Sequence, residues 1–132
     1  MNKISARVET IESIDNISVV SFSSFGQPLK MMSLELNKNI KIGADVTLGV
    51  KASSISLAKN LSTGLSISNQ LQTTIISVNN GTLLASIKLR FEDFILESII
   101  TLESSKRLSL HEGDTIVALI KSSDLSILEL AK

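Results

Sequence analysis

The chain has 132 residues, with 13 basic and 13 acidic side chains, a single histidine, four phenylalanines, and no cysteine, tryptophan or tyrosine. Zero net charge and scarce aromatic rings argue against a nucleic-acid surface, which needs a basic face or stacking platforms, and the absence of thiols excludes disulfides and thiolate metal ligation. No run approaches the roughly 18 apolar residues of a membrane span, and Met1 to Arg7 lacks the apolar core of a signal peptide, so a cytoplasmic protein with neither a nucleic-acid nor a membrane partner is expected.

Residues 4 to 11 carry Ile4, Ala6, Val8 and Ile11 and read as an opening strand, followed by turn chemistry at Asp15-Asn16. Ile17 to Phe22 is β-branched and aromatic and predicts a second strand. Phe25-Gly26-Gln27-Pro28 holds the only proline and reads as a loop or an edge-strand exit. Leu29 to Leu36 predicts a third strand, in which Met31 and Met32 blur the alternation and read as core filling. In the second half, Ile75 to Val78, Thr82 to Phe91 and Ile95 to Leu102 predict further strands. Asn79-Asn80-Gly81 is a hairpin signal, because Asn and Gly tolerate positive φ. Glu103 to Leu108 predicts one or two helical turns with a serine as cap. His111 reads as an exposed loop residue, and no second histidine exists to build a metal site with it.

An internal repeat organises these elements. Gly43 to Leu57 returns seventy residues later as Gly113 to Ile127, with Gly, Lys, Ser and Ser identical at Gly43/Gly113, Lys51/Lys121, Ser53/Ser123 and Ser56/Ser126. Val46, Leu48 and Val50 alternate with polar or small residues, the period of a half-buried strand, so each copy reads as a strand, a Lys-Ser corner and a second strand. The repeat predicts two modules, 1–61 and 62–132, joined at Lys59 to Gly64. About five short strands and at most one short helix in each predict an all-β chain of two small OB-like barrels. Modules of this size bury a modest core and need a neighbour. Apolar runs on both strand faces, at Leu83, Leu84, Ile99, Ile100, Val117 and Leu119, predict a further layer beyond each module's own barrel.

Ser66-Ile67-Ser68-Asn69-Gln70-Leu71 through Asn79-Asn80-Gly81, then Glu97 to Thr101, then Ile120 to Asp124, resemble the Mop or TOBE module of molybdate-binding proteins. Ile4-Ser5-Ala6-Arg7 is similar to the start of that family's Ser-Ala-Arg-Asn signature, and two tandem copies resemble a di-Mop molbindin, a cytoplasmic molybdate or tungstate storage protein. The resemblance spans essentially the whole chain and implies an OB-like barrel per module, a trimer of tandem chains, and oxyanion sites between modules. Both copies depart from the signature: Val8 follows Arg7 where the family has Asn, and Ser68 precedes Asn69 where it has Arg. The first copy also reads as about three residues shorter between Arg7 and the Asp15-Asn16 turn.

A tetrahedral dianion needs several hydrogen-bond donors converging on its oxygens and few acceptors nearby, a demand met by backbone N–H groups, hydroxyls and one cationic side chain. Ser5, Ala6, Arg7, Lys51, Ala52 and Ser53 are the expected set in the first copy. Ser66, Asn69, Ser98, Lys121, Ser122 and Ser123 are the expected set in the second, with the oxyanion as ligand and no catalytic cofactor. No cysteine nucleophile, glycine-rich phosphate loop or buried carboxylate pair supports catalysis. Oxyanion storage by a homotrimer is therefore the leading expectation. A sensing or assembly module of a molybdate-responsive regulator or transporter, acting through a partner in trans, is the alternative.

Overall fold

The computed structural model describes residues 1–62 and 64–130. The first hairpins follow directly from local chemistry. Strand β1 (Asn2–Ile14) buries Asn2, Ile4, Ala6 and Val8 and exposes the residues between them. It turns through Asp15 into β2 (Ile17–Ser24), which turns through Phe25 and Gly26, at φ 51° and 77°, into β3 (Gln27–Leu34). Two consecutive positive φ values make the two-residue turn whose twist matches that of the strands. Pro28 lies inside β3 and is tolerated because β3 ends its sheet, so the missing N–H breaks no ladder. Strand β4 (Asp45–Val50) then returns along β1, from Arg7 opposite Asp45 to Asn2 opposite Val50.

The second half repeats the plan with β6 (Asn69–Asn80), β7 (Leu84–Phe91), β8 (Phe94–Thr101) and β9 (Thr115–Ile120). The β6–β7 connection falls at Gly81, as expected, for a different reason. None of Asn79, Asn80 and Gly81 has positive φ. The glycine is needed because a Cβ there would stand 2.9 Å from the Leu84 carbonyl oxygen, to which the Gly81 N–H donates at 2.8 Å. Helix α1 (Leu102–Arg107) is capped by Thr101 rather than by a serine: the Thr101 hydroxyl accepts from the Ser104 N–H at 3.2 Å.

The final strands of the two copies change places. After Val50 a single 3-10 turn (Ala52–Ser54) sends β5 (Ser56–Ala58) onto β9, Ser56 opposite Leu119. After Ile120 the matching turn (Ser122–Asp124) sends β10 (Ser126–Leu130) onto β4, Ser126 opposite Gly49. The sheets therefore run β10-β4-β1-β2-β3 and β5-β9-β6-β7-β8, two curled five-stranded sheets each completed by the other copy. The expected boundary between residues 61 and 62 is thus crossed by one strand in each direction. The join expected at Lys59 to Gly64 contains Thr63, which lies outside the described residues. Lys59 itself is tied to the second half, its Nζ donating to the carbonyls of Leu108 at 2.9 Å and Ser109 at 3.1 Å.

Because of the exchange, the two barrels share one hydrophobic core, which includes Ile55 and Leu125 just after the corners. Val117 and Leu119 are buried within the single chain, and β5 supplies the strand beside them. Leu83 and Leu84 remain exposed.

Candidate functional site

Two reciprocal clasps set the frame. The Asn69 carboxamide, fully buried, donates to the Lys30 carbonyl at 2.9 Å and accepts from the Lys30 N–H at 2.7 Å. The Asn2 carboxamide does the same with Glu97, both bonds at 2.8 Å. In each clasp the first strand of one half reaches the edge strand of the other, β6 to β3 and β1 to β8. Asn2/Asn69 and Lys30/Glu97 are both sixty-seven residues apart, as are the ladder irregularities at Glu9 and Ile76. The structural counterpart of Asn69 is therefore Asn2, whereas the signature read at Ser5-Ala6-Arg7 puts that position at Val8, six residues further on. The three-residue difference between copies falls between β8 and β9, where α1 sits, and not between Arg7 and Asp15.

The Lys-Ser corners are built alike. Lys51 and Lys121 are extended, and each carbonyl accepts the N–H three residues on, from Ser54 and Asp124, at 2.9 Å. Each corner is carried by the exchange onto the opposite half. The Ser98 hydroxyl, fully buried on β8, donates to the Ile55 carbonyl at 2.6 Å and anchors the first corner.

At the second corner the chain forms a cleft of about 260 Å³ lined by Lys121, Ser122, Ser123, Ser66, Ile67, Ser68 and, from β3, Met32. Four of these side chains are hydroxyls and one is an ammonium group; among the described residues no acidic one lines the cleft. Lys121 makes no ion pair among the described residues. Ser66, Lys121, Ser122 and Ser123 are thus brought together as expected. Asn69 is not in the cleft, since its side chain is committed to Lys30, and neither is Ser98, whose hydroxyl is committed to Ile55. Ile67, Ser68 and the exposed Met32 are additions. Ser68 could have been found in the sequence as the polar neighbour of Asn69; Met32 could not, because the exchange alone brings it to the corner.

In the first copy the expected set does not converge. Arg7 pairs with Asp45, at the far end of β4 from Lys51, about 20 Å away at ~3.3 Å per residue. Ser5, Arg7 and the largely buried Ala6 line a separate cleft of about 360 Å³ with Ser23, Asp45 and Thr47. There the Arg7 guanidinium already meets the Asp45 carboxylate at 3.3 Å, both side chains 62% exposed. Such a pair is worth little in water, so Arg7→Ala should change stability by less than about 1 kcal/mol in urea unfolding. Lys51, Ala52 and Ser53 remain together at their own corner beside β8. Among the described residues no group of three or more His, Cys, Asp or Glu could hold a metal ion. None of the helices there is long and apolar enough to cross a membrane.

Residues 65–127 match the TOBE domain. In fold the chain is similar to the cytoplasmic molybdate-binding protein ModG, in a crystal form with molybdate bound, at a TM-score of 0.86 and 22% identity over 96% of this chain and 94% of that one. It is also similar to a molybdate-binding protein from Sporomusa ovata, at a TM-score of 0.49 and 30% identity over 51% of this chain and 100% of that one. No curated protein matches the chain in sequence.

Proposed function

We propose that the chain carries two Mop-type modules in tandem, the second of them matching the TOBE domain, and that it binds a tetrahedral oxyanion, molybdate or tungstate, at its Lys-Ser corners. The observation that carries this reading is the cleft at Lys121, where one ammonium group and four hydroxyls meet with no carboxylate among them. Hydrogen bonds to a charged partner contribute about 1.5–3 kcal/mol each, so a few converging donors suffice for tight binding of a dianion. The role we infer is storage or buffering in the cytoplasm, without catalysis; the likeness to ModG supports that setting. Isothermal titration of the whole chain should show molybdate binding at roughly micromolar or tighter and sulfate much weaker. Flat heats for both anions would sink the reading. Lys121→Glu should weaken binding by about tenfold or more and leave the fold intact, since Lys121 is exposed at a corner.

The functional unit we propose is a homotrimer. Ile14 pairs with Ile17, Ile17 with Leu34 and Val19 with Met32; of these, Ile14, Ile17, Met32 and Leu34 are exposed, an apolar stripe across β1, β2 and β3. Met32 belongs both to this stripe and to the Lys121 cleft, so a second copy seated on the stripe would also wall in the anion. Light scattering at low micromolar concentration checks this. A monomer that binds molybdate at full stoichiometry would show the trimer to be unnecessary.

A further inference from the structure

We infer that the two corners are unequal and that the Lys121 corner is the tighter oxyanion site, an inference that rests on the oxyanion reading above. The clasps make the comparison residue by residue. Ser122 supplies a hydroxyl where the first corner has Ala52. Ser68, which lines the Lys121 cleft, precedes Asn69 where Met1, which has no hydroxyl, precedes Asn2.

Charge does not separate the corners. Lys30 flanks the second corner, opposite Ser21, and Asp124 follows it. Glu97 flanks the first, opposite Lys88, with Ser54 in the place of Asp124. Each corner therefore carries the same formal balance once Lys121 or Lys51 is included. The arrangement of acceptors differs. Asp124 is exposed and does not line the cleft. Glu97 is half-buried on the strand against which the first corner packs, and its carboxylate accepts the Ser86 hydroxyl. A dianion at the first corner has Ala52 and Met1 where one at the second has the hydroxyls of Ser122 and Ser68.

The test is a titration of the full chain with sodium molybdate, comparing wild type with Lys121→Ala, Lys51→Ala and Ala52→Ser. The wild type should bind in two phases. Lys121→Ala should weaken the tight phase tenfold or more, the effect of losing a charged hydrogen bond. Lys51→Ala should remove the weak phase, and Ala52→Ser should tighten it. Equal losses from the two lysine variants, or a larger loss from Lys51→Ala, would overturn the ranking while leaving oxyanion binding in place. A flat wild-type titration would overturn the oxyanion reading itself, and the ranking with it.

Discussion

Asn69→Ala is expected to destabilise the chain by about 2–4 kcal/mol, although residue 69 lies outside the Lys121 cleft. The carboxamide is fully buried and satisfies both the N–H and the carbonyl of Lys30. Lys30 is on β3, the last strand of its sheet, so neither group gains a ladder partner when the asparagine is gone. Losing the two hydrogen bonds costs about 1–3 kcal/mol in all, and truncating the fully buried side chain adds the cost of the void it leaves. For a domain of this size the midpoint should fall by roughly 10 °C. The change also loosens β6 from β3, and with it the wall that carries Met32 into the Lys121 cleft, so molybdate affinity should drop too. Thermal unfolding followed by circular dichroism decides the matter; a midpoint within a degree or two of wild type would show that the clasp does not hold the halves together.

Gly49→Leu should cost about 1–3 kcal/mol, the range for overpacking a filled site. A Cβ at Gly49 would stand 2.6 Å from the Leu128 side chain of β10. In the other barrel the corresponding positions hold Leu119 on β9 and Ala58 on β5, so the large and small residues trade places. Each exchanged strand thus suits the strand that receives it. Leu128→Ala in the Gly49→Leu background should recover most of the loss, because the second change reopens the space that the first fills. Urea unfolding of the two single variants and the double variant measures the coupling. Strict additivity would mean that Leu128 moves aside at no cost and that size matching plays no part in the exchange.

Much of the architecture is local in origin and was legible in the chain. Alternation from Ile4 to Val8 and from Val46 to Val50 needs only the period of a strand and one buried face. The Phe25-Gly26 turn, the small-barrel plan and the seventy-residue repeat were readable for the same reason. So was the convergence of Lys121, Ser122 and Ser123, which are neighbours in sequence. The signature was misplaced in the first copy because Ser5-Ala6-Arg7 has the right local letters. What marks the position is Asn2, and its meaning depends on Glu97, which no local pattern connects to it.

By itself, then, the sequence determined the strands, the turns, the doubling and the Lys-Ser make-up of the corner, because each is set by residues within a few positions of one another. Tertiary structure alone decided which strand completes which sheet. Ser56 to Ala58 and Ser126 to Leu130 are short edge strands whose backbones could hydrogen-bond to either β4 or β9. The choice falls to side chains far apart in the chain: Leu128 over Gly49, Ile55 and Leu125 sunk into one shared core, and two asparagines clasping the opposite half. Backbone hydrogen bonds are alike for every partner, whereas packing volume and buried polar groups discriminate between them, and those exist only once the two halves have met.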